Sequence, residues 1–205
     1  MASKQQEFSI QGKAGKLESM VHLPDELPQA IAVVAHPLPT MGGTMENKVV
    51  TTLSKTFAGL GFITLRFNFR GVGASAGEFD GGDGETEDAL AVARYALREY
   101  GELPLILAGF SFGGYVQARA AQQILPQQLV LVAPAVSRFP MPEVPKNTLL
   151  IHGEQDDVVP LKEIFSWARP QHLPVVVLPE AGHLFHGRLT DLKNIVRHHF
   201  LGRPV

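Results

Sequence analysis

Strand-length runs of apolar residues alternate with segments of helical pattern along this chain. Most of the apolar runs are continuous, which is typical of strands that are buried on both faces. The predicted strands are residues 16–22, 30–35, 62–67, 105–108, 129–133, 148–151 and 175–178, and the predicted helices are residues 46–58, 85–100, 112–123, 161–168 and 188–200. This alternation predicts an α/β fold, with a mostly parallel sheet, helices on both faces and an antiparallel start at the weakly patterned first run.

The length of the chain favours one domain. A chain of 205 residues, 45% of them apolar, has enough residues for a single large core. No internal repeat, low-complexity tract or linker divides it. We therefore predict a single domain over residues 1–205.

Charge and composition exclude several classes of partner. The net charge is -2 and the pI is near 6.4, which gives no electrostatic footprint for nucleic acid. The apolar runs are too short to span a bilayer, and the N-terminus does not have the pattern of a signal peptide. We expect a cytoplasmic protein without nucleic-acid or membrane partners. The absence of cysteine also removes thiolate metal ligands and a cysteine nucleophile.

A serine stands where one predicted strand meets a helix. The strand at residues 105–108 runs into the sequence GFSFGG, which contains the pattern G-x-S-x-G centred on Ser111. Small residues on both sides of a serine permit a sharp strand-to-helix turn that presents the hydroxyl group. Ser111 is therefore the predicted nucleophile.

A serine hydroxyl needs a base, and the base needs an orienting acid. Later predicted strand ends provide both, in the order serine, aspartate, histidine. Asp156 and Asp157 follow one strand, and His183 and His186 follow the next. The residues alone leave both choices open.

In this arrangement the chain resembles the α/β-hydrolase superfamily over nearly its whole length. The stretch HGEQDDVVP matches the H-G-x-x-D-x-x-V-P pattern of that family, and the resemblance implies Asp156 as the acid. The G-H pair within PEAGHLFHG similarly implies His183 as the base. The nearest likeness is to the small lidless bacterial branch that is similar to dienelactone hydrolase, although Ser111 replaces the cysteine nucleophile of that enzyme.

The predicted reaction needs two donors for the oxyanion. One is expected to be the backbone N–H of Phe112, directly after the nucleophile and at a helix N-terminus. In the family the other comes from a loop that begins H-G-x, which implies the N–H of Leu38 in the sequence His36-Pro37-Leu38. Because Pro37 and Pro39 have no N–H, Leu38 is the only donor among three successive positions.

Other motifs predict no cofactor and no metal. The sequence GVGASA at residues 71–76 matches a dinucleotide fingerprint, but no helix follows directly, as that fold requires. Within RFNFRGVGASAG it instead resembles a hydrolase turn, which implies that this turn braces the oxyanion loop and that Arg70 makes hydrogen bonds. The acidic run DGGDGETED lacks the ligand spacing of an EF-hand, and its carboxylates are expected to stabilise the N-terminus of the helix that follows.

The segment at residues 134–146 is too short for a lid with its own core. The open site has apolar candidates near the strand ends, and we predict that Met41, Phe110, Val158 and Phe185 bind substrate. The predicted function is that of a serine hydrolase, a carboxylesterase or thioesterase acting on small acyl esters. A peptidase of the same fold and a catalytically silent binding or scaffold protein are the alternatives.

Overall fold

The structure, a computed structural model, describes residues 4–201. Within these residues one eight-stranded sheet runs through the molecule, with the strand order β1-β2-β4-β3-β5-β6-β7-β8. The strands are β1 (Lys4–Gly12), β2 (Gly15–Leu23), β3 (Ala30–Ala35), β4 (Phe62–Phe67), β5 (Leu105–Phe110), β6 (Gln128–Val132), β7 (Leu149–Gly153) and β8 (Val175–Leu178). The helices are α1 (Lys48–Ala58), α2 (Asp83–Tyr100), α3 (Phe112–Ala120), α4 (Leu161–Ala168) and α5 (Leu189–Phe200), with short 3₁₀ turns at Pro39–Met41 and Arg169–Gln171.

The sheet confirms the predicted fold class. β1 and β2 form an antiparallel hairpin, β2 pairs antiparallel with β4, and every other pair in the described sheet is parallel. The central strands β3, β4, β5 and β6 are buried along their whole length, as their continuous apolar sequences predict. The single domain predicted over residues 1–205 stays a prediction, and its ends, residues 1–3 and 202–205, lie outside the described residues.

The core has two halves, one on each face of the sheet. Side chains of α2, α3 and α4 pack on one face, and those of α1 and α5 pack on the other. This arrangement leaves the carboxyl ends of the parallel strands at one edge. Ligands bind beyond that edge in open α/β sheets.

Strand β1 was not predicted. Its sequence KQQEFSIQG has apolar residues only at Phe8 and Ile10, and β1 pairs on one side alone, with β2. An edge strand of this kind needs no continuous apolar run, so periodicity gives no signal for it.

The connection from β6 to β7 contains no lid. Residues 133–148 form turns without a helix or a strand. The site beyond the strand ends is therefore not covered by an inserted domain, as predicted.

Candidate active site

Ser111 lies in a strained turn between β5 and α3. Strand β5 extends to Phe110, two residues further than predicted, so that Ser111 follows the strand directly. Its backbone has φ 55° and ψ -117°, a conformation that residues other than glycine rarely adopt. Strain of this kind is maintained where the surrounding structure determines it, and this turn places the largely buried serine at the edge of the sheet, in the wall of a cavity.

The glycines of the motif permit the close packing that holds this turn. A Cβ atom on Gly109 would lie 2.2 Å from the carbonyl oxygen of Gly113. A Cβ atom on Gly113 would lie 2.4 Å from the carbonyl oxygen of Ala35, in the neighbouring strand β3. Helix α3 therefore starts against the strand ends only because both positions lack a side chain.

Ser111, His183 and Asp156 form one chain of hydrogen bonds. The Oγ atom of Ser111 is 3.1 Å from Nε2 of His183, and Nδ1 of His183 is 2.7 Å from Oδ2 of Asp156. Because an ionised carboxylate only accepts, Nδ1 carries the imidazole proton and donates it to Asp156. Nε2 is then free to accept the proton of the serine hydroxyl.

Backbone donors hold the carboxylate of Asp156 in place. Its Oδ1 atom accepts the N–H groups of Val158 and Val159, at 2.9 and 2.8 Å. Burial raises the pKa of Asp156, but the hydrogen bonds from His183 and from the Val159 N–H outweigh this effect, so the pKa lies below its ordinary value. The neighbouring Asp157 is exposed and stands outside this chain, as does the exposed His186.

His152, which no sequence pattern singled out, lies directly behind the acid. Its ring is fully buried, with Nε2 2.8 Å from the carbonyl oxygen of Val159 and 3.5 Å from Oδ2 of Asp156. Burial lowers the pKa of His152, against the opposing effects of Val159 and Asp156. The only signal in the sequence was its position as the first residue of the HGEQD stretch.

The loop after β3 holds Leu38 beside the nucleophile. The carbonyl oxygen of Leu38 accepts the N–H groups of Met41 and Gly43, at 3.1 and 3.0 Å. Among the described residues the N–H of Leu38 itself donates to no protein acceptor, and neither does the N–H of Phe112. Both residues line the cavity in front of Ser111, so two unused donors stand on this side of the site.

His36 braces this loop. The N–H of Phe69 donates to Nε2 of His36 at 3.0 Å, which places the ring proton on Nδ1, and Nδ1 donates to the carbonyl oxygen of Pro37 at 2.7 Å. Burial lowers the pKa of His36 to about 4, so the ring stays neutral at pH 7.

Phe69 and Arg70 both belong to the stretch RFNFRGVGASAG: Phe69 makes the contact with His36, and Arg70 makes hydrogen bonds outside the loop. The guanidinium of Arg70 is directed to helix α2, where it binds Asp88 at 2.9 Å and Asp80 at 3.4 Å. The acidic run also acts at this helix, where Asp80 and Glu85 accept backbone N–H groups of the first turn. The GVGASA segment packs on β2, with the N–H of Ala76 bonded to the carbonyl oxygen of Lys16 at 2.8 Å.

A cavity of about 340 Å³ opens in front of Ser111. Met41, Phe110 and Val158 line it, as the sequence predicts for substrate-binding residues. Phe185 requires a correction, because its side chain is fully buried in the core between the sheet and helices α1 and α5. Its neighbour Leu184 lines the cavity in its place.

Two kinds of feature are missing from residues 4–201, a metal site and a membrane-spanning helix. Within them no cluster of three or more potential ligand side chains is suited to a metal ion. None of the helices there has the length and apolar character needed to cross a membrane.

Comparisons with known proteins agree with this architecture. The hydrolase family model described as serine aminopeptidase S33 matches residues 28–147. The chain is similar to the crystal structure of XC6422 from Xanthomonas campestris, an α/β serine hydrolase without a lid, with 38% identity and a TM-score of 0.92 over 97% of this chain and 94% of that one. An α/β serine hydrolase homologue from Coxiella burnetii shows 40% identity and a TM-score of 0.87 over 98% of this chain and 99% of that one.

A curated relative is the uncharacterized protein RP471 of Rickettsia prowazekii (strain Madrid E). It is 36% identical over 169 residues, which are 82% of this chain and 62% of the relative. The chain thus spans less than two thirds of the length of that relative.

Proposed function

The chain belongs to the serine aminopeptidase S33 family of α/β serine hydrolases, and on this basis we propose that it is a carboxylesterase or thioesterase for small acyl substrates. One observation carries the proposal: the hydrogen bonds from Ser111 to His183 and from His183 to Asp156, at 3.1 and 2.7 Å. A nucleophile, a base and an orienting acid in this order are the requirements of acyl transfer.

The reaction proceeds in two stages, acylation of Ser111 and hydrolysis of the acyl-enzyme. The Oγ atom of Ser111 bonds to the carbonyl carbon of the substrate while His183 takes the hydroxyl proton, and the N–H groups of Leu38 and Phe112 bind the oxygen that becomes negative. The C–O or C–S bond to the leaving group then breaks, and His183 returns the proton to the departing oxygen or sulfur. Water then attacks the acyl-enzyme in the same way, with His183 as the base, and the carboxylic acid is released.

The size and lining of the cavity support small acyl groups. Its volume of about 340 Å³ lies at the lower end of the usual range of ligand pockets, about 300 to 1,000 Å³. Met41, Phe110 and Val158 offer apolar contacts, and no inserted domain encloses a long chain. A short acyl chain can therefore contact this apolar lining along its whole length, and a long chain cannot.

The name of the family raises the alternative of an aminopeptidase. Such an enzyme needs an anionic group for the N-terminal ammonium of its substrate. None of the described residues that line the cavity is Asp or Glu, and one of them is Arg138. This charge distribution disfavours an ammonium group and supports the esterase over the peptidase.

A series of p-nitrophenyl esters from acetate to dodecanoate tests the proposal. We expect the largest kcat/KM for short acyl chains and a fall of about tenfold or more at dodecanoate. The additional methylene groups would extend beyond the cavity and make no contact with its wall. An acyl thioester and an aminoacyl p-nitroanilide, assayed in parallel, separate the three leaving groups. Preference for the anilide would support the peptidase, and a folded protein that turns over none of them would support the non-catalytic alternative.

The role of Leu38 has its own test, because Leu38 has φ -53°, which proline tolerates. Replacement of Leu38 by proline removes an N–H that no protein acceptor uses, so the fold should tolerate it. We expect kcat to fall about 10² to 10³-fold, the usual cost of one oxyanion donor. Leu38→Ala, which keeps the N–H, is the matched control, and equal losses in both variants would remove Leu38 from the oxyanion hole.

A further inference from the structure

The cavity in front of Ser111 contains one permanently charged side chain among the described residues that line it, that of Arg138. The other lining residues are mostly apolar, and the Asn47 side chain already caps helix α1 by accepting the N–H of Val49 at 2.9 Å. Within residues 4–201 the guanidinium of Arg138 has neither a hydrogen bond nor an ion pair. Arg138 is therefore the one permanently charged residue in a mostly apolar lining, and no carboxylate among residues 4–201 pairs with its guanidinium.

Three other arginines are paired with carboxylates. Arg66 binds Glu46 at 2.7 Å, Arg70 binds Asp88 at 2.9 Å, and Arg119 binds Asp83 at 2.6 Å. Arg94 resembles Arg138 in being exposed and unpaired within the described residues, but it lies on the outer side of helix α2 and does not line the cavity. The combination of an unpaired charge and a place in the cavity distinguishes Arg138 from these residues.

The turn that carries Arg138 is tied to the nucleophile. The N–H of Ala135 donates to the carbonyl oxygen of Ser111 at 3.2 Å, and the N–H groups of Arg138 and Phe139 both donate to the carbonyl oxygen of Ala135 at 3.1 Å. The ring of Phe139 packs against Tyr115 and Phe112, with centroids 4.9 and 5.0 Å apart. Backbone hydrogen bonds and aromatic packing thus hold the turn that carries Arg138 in place.

On the basis of the proposed acyl transfer, we infer that the site prefers substrates carrying an anionic group, a carboxylate or a phosphate, and that Arg138 binds this group. The planar guanidinium matches carboxylate and phosphate oxygens in a two-point geometry. The apolar cavity holds the acyl chain, while the arginine at its rim binds the charge. Arg138 thereby determines specificity and takes no part in bond making.

Two pairs of substrates with four-carbon acyl groups locate the charge. p-Nitrophenyl hemisuccinate against p-nitrophenyl butyrate places a carboxylate on the acyl part. Butyryl-coenzyme A against the butyryl thioester of N-acetylcysteamine places phosphates on the leaving group. The quantity measured is the ratio of kcat/KM for the anionic substrate to that for its neutral partner.

We expect at least one ratio to fall about tenfold in Arg138→Gln, and further in Arg138→Glu, because a rim charge contributes a modest, solvent-screened attraction. The wild-type preference should also weaken in high salt. The control Arg94→Gln removes an exposed arginine from helix α2 and should leave both ratios unchanged. The pair whose ratio responds identifies the part of the substrate that carries the charge.

Ratios in Arg138→Gln equal to those of wild type for both pairs would overturn the inference. Absence of turnover of all four substrates by the wild-type protein would instead overturn the proposed carboxylesterase or thioesterase function. The two failures are therefore distinguishable.

Discussion

Replacement of Ser111 by alanine should abolish turnover of acyl esters, with kcat lower by about 10⁶-fold. The variant loses the only atom able to form the acyl-enzyme, while the oxyanion donors Leu38 and Phe112 stay in place. Residual catalysis over water should therefore come from binding and the oxyanion site alone. A fluorophosphonate probe provides a direct readout, because it labels an activated serine covalently, and labelling should disappear in Ser111→Ala.

Ser137→Ala is the matched control for the labelling experiment. Ser137 is an exposed serine in the turn next to the cavity and lies outside the hydrogen-bonded chain. Its replacement should leave labelling and turnover unchanged. Labelling that survives in Ser111→Ala would place the nucleophile elsewhere, and a folded wild-type protein that takes up no probe would contradict the enzymatic proposal.

Replacement of Asp156 by asparagine should lower kcat by about 10⁴-fold. The reason lies in the contacts of the carboxylate. Oδ1 accepts the N–H groups of Val158 and Val159, so an asparagine must place its single oxygen there and direct its NH₂ group towards His183. That group donates to Nδ1, which moves the ring proton to Nε2, and His183 can then no longer accept the proton of Ser111.

Asp157→Asn is the control for this substitution, because it changes the neighbouring residue by the same chemical step. Asp157 is exposed, has no hydrogen bond or ion pair with His183 and does not itself line the cavity, so its replacement should leave kcat/KM near the wild-type value. Steady-state kinetics with p-nitrophenyl butyrate at pH 7 compares the two variants. Similar losses in both would show that the acid had been assigned wrongly.

Much of the fold was predictable because it depends on local signals. Strands β3, β4 and β8 and helix α4 have the predicted bounds, since continuous burial and helical periodicity leave a direct pattern in the sequence. The hairpin strand β1 left no such pattern, because its pairing with β2 depends on backbone hydrogen bonds at a sheet edge. Phe185 was placed in the cavity because apolar character alone does not distinguish a core side chain from a lining one.

The candidate site likewise combines features that the sequence predicted with contacts that only the tertiary structure shows. The spacing in GFSFGG is a local feature that was sufficient to propose Ser111 as the nucleophile, whereas the choice of Asp156 and His183 came from the resemblance to the α/β-hydrolase superfamily. Their catalytic roles stay predictions. The contact of Phe69 with His36, the buried His152 behind Asp156 and the unpaired Arg138 join segments that are distant in the sequence.

The sequence by itself determined the α/β class, the strained turn at Ser111 and the shortness of the β6–β7 connection, because each follows from the chemistry of neighbouring residues. Only the tertiary structure decided which N–H groups stay unused, which aspartate approaches His183 and which charge faces the cavity. These properties depend on distances between residues far apart in the chain, and such distances are set by packing on the sheet and not by local preference.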